Sequence, residues 1–262
     1  MPARPVLVAL LTLASGVSPL AAQRFWLGPA PASAVGVTLA GAHFDSERLS
    51  SSSGTVALRG RTPVGAGIVL TGELPFARAS FSEGGSGSAI GNPWIGIESA
   101  SPGTVRWEVG VRPGIFSTDE ESSDLAWVAG LLINFDSWEA WFPEVSSIRG
   151  AIAFGAIPDR GVFASGRVGA TTSIPRNGDS EVFADYGARA GMASPGWIGW
   201  LGVMGHGVVT ESGGSIGDRT SHQVELGVER RSGGVRPRAT VRRYVGEDIS
   251  DIYFTLGFSA PL

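Results

Sequence analysis

The C-terminal stretch constrains the fold more than any other. In the run Ile252-Tyr253-Phe254-Thr255-Leu256-Gly257-Phe258-Ser259, one parity is Ile252, Phe254, Leu256 and Phe258, and the other is Tyr253, Thr255, Gly257 and Ser259. A period of two is the signature of a β-strand, whose successive side chains point to opposite faces. The stretch before it alternates likewise, with Arg236, Arg238, Thr240, Arg242 and Tyr244 on one face and Ala239, Val241 and Val245 on the other. A purely apolar face backed by a face of arginines fits a strand with lipid on one side and a polar interior on the other. That is the situation of a strand in a transmembrane β-barrel.

The remaining sequence narrows the class by exclusion. The chain has 262 residues with 20 basic and 24 acidic side chains, so there is no basic footprint for nucleic acid. It contains no cysteine, which removes disulfide frameworks and thiolate metal sites. Beyond the N-terminus there is no apolar run of the roughly 18 residues a membrane-spanning helix needs. At the N-terminus, Arg4, the apolar run Val6 to Val17, the breaker Ser18-Pro19 and Leu20-Ala21-Ala22 read as the three regions of a signal peptide, residues 1–22. A periplasmic linker, 23–33, then leads into the barrel, 34–262.

Alternation predicts twelve strands, at 34–45, 54–62, 66–79, 91–100, 104–116, 147–157, 162–173, 181–193, 197–210, 221–231, 236–245 and from 252 onward. Short turns such as Pro63-Val64-Gly65, Ser101-Pro102-Gly103 and Ser194-Pro195-Gly196 alternate with longer loops, including the Gly/Ser stretch 80–89. This strict alternation places both termini and every short turn at one end, as in an up-and-down outer-membrane barrel. Pro75 lacks a backbone N–H, so regular pairing should stop near it. Trp107, Tyr186, Trp197, Tyr253 and Phe254 are candidates for the interfacial aromatic girdles.

Residues 117–146 break the rhythm. Reading 125–135 as a strand would make the count odd and put later loops on the wrong ends. Ser122 or Ser123 as cap, with Leu125, Val128, Leu132 and Phe135 at helical spacing, instead predicts a short helix in a long extracellular loop. The choice of helix over strand at 124–135 rests on this parity argument, since a mixed apolar run does not declare its own period.

The segments Gly60-Arg61-Thr62-Pro63, Gly72-Glu73-Leu74-Pro75-Phe76, Ile90-Gly91-Asn92-Pro93-Trp94-Ile95-Gly96 and Phe135-Asp136-Ser137-Trp138-Glu139-Ala140-Trp141-Phe142-Pro143 resemble bacterial outer-membrane barrels of the transporter type. These are the phenol-degradation meta-pathway barrels and, more distantly, the fatty-acid-transporter-like barrels. The resemblance implies a location in the cell outer membrane and passage of small, often apolar solutes. It also implies outer-membrane lipid and the barrel assembly machinery as partners. Barrels of this kind usually end on an aromatic residue, whereas here Phe258 is followed by Ser259-Ala260-Pro261-Leu262.

The inward parity is where function would lie. It holds Arg59, Arg61, Arg106, Arg112, Arg149, Arg167, Arg189, Arg238 and Arg242, with Glu73, Glu98, Glu108, Asp185, Glu225 and Glu229. A tight turn between Arg231 and Arg236 would put Glu229 opposite Arg238 and Glu225 opposite Arg242. These charges either fill a narrow barrel as a satisfied polar network or, through the arginine surplus, line an anion-favouring pore. His206 also points inward, but no nucleophile stands at a recognisable spacing from it, and no paired histidines suggest a metal. Trp127, Trp138, Trp141 and Phe142 in the long loop are candidates for a constriction or for contact with solute.

The expectation is therefore an all-β, antiparallel barrel acting as a passive pore or facilitator for small solutes, anionic or apolar, without cofactor, metal or catalytic residue. Alternatives are a structural or adhesive barrel with a plugged lumen, and a lipid-modifying enzyme that loss of activity on His206→Ala would betray. A soluble all-β periplasmic protein is the alternative at the level of fold.

Overall fold

The computed structural model describes residues 33–45, 50–65, 67–81, 85–99, 104–117, 121–210, 220–232, 235–245 and 252–261. The expected signal peptide and almost all of the linker lie outside the described residues. The strands are β1 (Ala34–Asp45), β2 (Ser50–Gly65), β3 (Ile68–Phe81), β4 (Gly85–Ile90), β5 (Trp94–Ser99), β6 (Val105–Arg112), β7 (Val145–Phe154), β8 (Gly161–Pro175), β9 (Glu181–Ala193), β10 (Trp197–Val208), β11 (Thr220–Arg230), β12 (Arg236–Val245) and β13 (Ile252–Pro261). Each pairs antiparallel with its neighbours. Pairing of β1 with β13 and of β2 with β3 closes the sheet on itself.

The wall has twelve positions, although there are thirteen strands, because β4 and β5 share one position beside β3. The end of β3, Phe76 to Phe81, pairs with β4, whereas its start, Ile68 to Glu73, pairs with β5. The break falls at Pro75, which has no N–H to offer; its carbonyl instead accepts the N–H of Gly91 at 2.9 Å. On its other side β3 runs through unbroken, with Pro75 opposite Ala57. The Gly/Ser stretch expected as a loop thus contains a strand, Gly85–Ile90, and β2 starts earlier than expected, at Ser50. Small polar residues lower strand propensity, but here the ladder is supplied by the adjoining strand, and tertiary pairing overrides local preference.

Closure satisfies the backbone hydrogen bonds that hydrocarbon cannot. The two faces then divide as the alternation requires. Ile95, Leu201, Leu226 and Phe254 on the outer face are 56, 64, 62 and 59% exposed, whereas Arg106, Arg149, Glu225 and Arg242 on the inner face are buried. Tyr253 departs from the girdle expectation. It points inward and is buried against Tyr244, with ring centroids 5.4 Å apart, as its parity alone would have required.

Between β6 and β7 the chain forms helix α1 (Glu121–Ile133) and a 3-10 helix (Phe135–Trp141). The helix is present but starts before Ser122 and Ser123, and it does not lie outside the barrel. It packs against β2, β3 and β4 from within. The 3-10 helix that follows is buried at every one of its residues. The long loop folds into the lumen.

Candidate functional site

The inward segment is fixed by aromatic packing at both its ends. On the β3–β4 side, Trp127 and Trp141 meet edge to face with centroids 5.9 Å apart, in a cluster with Ala77 and Ala89. Across the lumen, Ile133 and Phe135 pack with Met204, Tyr244 and Tyr253, which belong to β10, β12 and β13. Gly130 allows the closest approach, since a Cβ there would lie 2.3 Å from the Trp141 ring.

Between these anchors the segment inserts two acids among the wall arginines. Glu139 Oε1 accepts from Arg112 Nε at 3.2 Å and from Arg149 Nη1 at 3.1 Å. Asp136 Oδ2 accepts from Arg242 Nη2 at 2.9 Å, and the Asp136 carbonyl takes a further bond from Arg149 at 3.0 Å. Arg112 also pairs with Glu73 and donates to the carbonyl of Asn92 at 2.7 Å. Asn92, at the break between β4 and β5, donates to the Phe142 carbonyl at 2.8 Å and so ties the end of the segment to the wall. In a low-dielectric interior such charges persist only when paired and hydrogen-bonded, and here the wall and the segment supply each other's partners.

Most of the arginines and acids expected to face inward do so, and the structure sorts them by height in the barrel. Nearest the long loops lie Arg112, Arg149, Asp185 and Arg242 with the segment's acids. Below them Arg59 pairs with Glu73 at 2.5 Å and Arg167 with Glu108 at 2.6 Å. Glu225 faces Arg242 at 3.3 Å, and Glu229 faces Arg238 at 3.6 Å, both in the register that the tight turn implies. Towards the short turns, Arg61 pairs with Glu98. Arg189 bonds Ser165 at 3.1 Å, and Arg106 reaches the carbonyl of Gly155 at 3.3 Å.

The aromatic candidates have a different surrounding from the one expected. Trp127, Trp138 and Trp141 are buried in the packing of the segment onto the wall, and only Phe142 is half-buried. Trp138 stacks on His206 at 5.2 Å and donates to Asp185 at 3.4 Å. His206 is held between Trp138 and Phe135, the latter 4.4 Å away, which is a packing position. His222, on the outer parity, bonds the Tyr186 hydroxyl at 2.9 Å. Among the described residues, no group of three or more His, Asp or Glu is placed to hold a metal ion.

Asp136, Glu139 and Asn92 were not singled out by the sequence reading, yet they connect the segment to the wall. The available signal was two acids embedded in an aromatic run, Phe135 to Phe142. Solvent-facing loops have little need of that combination.

The fold and the charged lumen define a closed antiparallel barrel of the outer-membrane type. No protein-family model matches the chain, and no curated protein is similar to it in sequence. Solved structures are similar in fold. An outer membrane channel from Pseudomonas putida F1 aligns at TM-score 0.57 and 11% identity, covering 88% of this chain and 96% of that one. The beta domain of the Bordetella autotransporter BrkA aligns at 0.53 and 15% identity, covering 88% and 100%. The translocator domain of the autotransporter NalP from Neisseria meningitidis aligns at 0.50 and 12% identity, covering 98% and 94%. At these identities the likeness is one of fold.

Proposed function

We propose that this protein resides in the outer membrane and acts there as a restricted facilitator for small solutes. Its lumen is opened or narrowed by the segment 121–141, and it performs no catalysis. The observation that carries this reading is a polar, charged interior crossed by a stretch of chain, 121–141, that is anchored to the wall on both sides of the lumen. A barrel built only as scaffold has no need of a charged lumen, since apolar side chains fill a closed barrel at lower cost than buried ions. The similarity in fold to an outer membrane channel accords with this reading. Within it, the segment as a whole forms the constriction, held by the packing of Trp138 and Trp141, and the inner arginines and acids line the remaining path.

A second reading is favoured by one observation. Asp136 and Glu139, the acids of the 3-10 helix, are both paired with the wall, as expected of a permanent plug in a structural barrel. Conductance in planar bilayers separates the two. The mature chain, its folding verified by heat-modifiable migration, is compared with a variant lacking residues 119–142. Facilitation requires small or intermittent steps for the full chain and large steady ones for the deletion. A full chain silent under every gradient and solute, beside a conducting deletion, would leave the plug as the answer.

A further inference from the structure

The lipid-facing side of the wall carries a row that ends on a charge. Cross-strand register sets Phe154, Gly166, Ala188, Val203, Val224 and Arg243 side by side on β7 to β12, all at outward positions. The five steps span roughly 24 Å at the spacing of paired strands, and because barrel strands tilt by about 35–45° such a row climbs along the wall. Its lower end, Phe154, closes β7 at the short turns. Its upper end, Arg243, lies two residues from the long-loop end of β12.

Two features of the row point to a ligand. The first is an open groove of about 560 Å³, floored by Gly166 and Ala188 with Ala164 and Ala190 of the adjoining row, and rimmed by Phe154 and Leu201. It reaches Val224, the direct cross-strand partner of Arg243. The second is Arg243 itself, exposed among Val224, Val241, Val245 and Ile252. Among the described residues, the outward positions of β11, β12 and β13 carry no acid. A guanidinium on this face is costly at bilayer depth and favourable where it meets anionic headgroups. The neighbouring side chains mark that level. His222 bonds the Tyr186 hydroxyl at 2.9 Å and Thr220 at 3.2 Å, and the Tyr186 and His222 side chains reach over Gly205, the next outward position above Val203. Polar aromatic groups of this kind gather where hydrocarbon gives way to headgroups.

We propose that the outward face of β7 to β12 binds one anionic phospholipid of the long-loop leaflet, with its phosphate on Arg243 and an acyl chain in the groove that descends from Val224 towards Phe154. A cation at the headgroup level, with an apolar groove leading away from it into hydrocarbon, matches the two parts of such a lipid in charge and in order. The small side chains of the floor let the chain lie closer to the wall than the flanking Phe154 and Leu201 would allow. The site rests on the barrel standing in a membrane and not on passage of solute.

The test is native mass spectrometry of the folded full chain, released from detergent micelles that carry phosphatidylglycerol or phosphatidylcholine with the same acyl chains. A single phosphatidylglycerol should stay bound, with about fivefold greater retention than phosphatidylcholine, the attraction of one basic residue for anionic lipid. Arg243→Gln should bring the two lipids to equal retention. Ala188→Phe fills the groove from the outer face, away from the barrel interior, and should weaken retention of both. Arg78→Gln, at an exposed outward position of β3, should retain lipid as the wild type does. Heat-modifiable migration verifies the fold of each variant. Equal retention of the two lipids by the wild type, or undiminished retention of phosphatidylglycerol in the folded Arg243→Gln or Ala188→Phe variant, would overturn the site. Because retention is read without conduction, a silent bilayer trace leaves this result intact, and a failure here says nothing against facilitation.

Discussion

The two ends of the lumen use the same wall arginines with different partners. Near the long loops, arginines on β6, β7 and β12 meet acids delivered by a segment far from them in sequence; Arg242 and Asp136, for example, are 106 positions apart. Near the short turns, Arg61 on β2 and Arg238 on β12 are met by acids of the wall itself, Glu98 on β5 and Glu229 on β11. In the upper half the inserted segment therefore adds to pairing the wall already makes, whereas the lower pairs lie within the wall.

The largest effect on this contrast should come from removing the shared acid. Glu139→Ala would leave Arg112 and Arg149, 0 and 1% exposed, without their common partner. Breaking a buried pair from one side costs about 3–5 kcal/mol, so the segment should undock while the barrel stays closed. Hydrogen exchange should then show loss of protection confined to 135–141, with heat-modifiable migration kept. Loss of the barrel along with the segment would mean that the two halves are one cooperative unit.

Gly130→Ala should have a similar but smaller effect, since the new methyl collides with the Trp141 ring. Overpacking of this kind costs about 1–3 kcal/mol, which a shift in the same exchange experiment would register. Gly227→Ala is its counterpart in the lower half. A Cβ there would lie 2.0 Å from the Trp200 ring, and displacing that ring should loosen Arg189 and Arg238, which lie against it, and lower thermal stability, again through about 1–3 kcal/mol of strain. Its exchange pattern at 135–141 should be unchanged, which keeps the halves distinct. Smallest of all, Arg176→Gln breaks an exposed pair with Glu144, and surface pairs contribute about 0–1 kcal/mol, so neither thermal stability nor conductance should move measurably.

The wall was legible residue by residue. Ile252 to Ser259, Arg236 to Val245 and their counterparts each declare their two faces, because a strand between lipid and a polar lumen must alternate or leave charge in hydrocarbon. Two features of the wall were missed for the same reason, the strand in the Gly/Ser stretch 85–90 and the early start of β2. Those residues pair because a neighbouring strand extends past Pro75, and their own composition does not show it. For the candidate site, the cross-strand pairs of β11 and β12 followed from turn length alone, whereas Asp136, Glu139 and Asn92 stood in runs whose neighbours in space are far away in sequence.

The sequence by itself thus determined the class of fold, the strand count around the wall, the end at which the short turns gather and the presence of helix between β6 and β7. Those are set by the period of side chains and by turn chemistry, both local. Tertiary structure alone decided that the helix and the 3-10 turn enter the lumen, that the acids of the turn pair with the upper arginines, and that Arg189 and Arg238 meet on the Trp200 ring below. Which charges meet across a closed barrel depends on its curvature and on how a loop crosses it, and no local pattern encodes either.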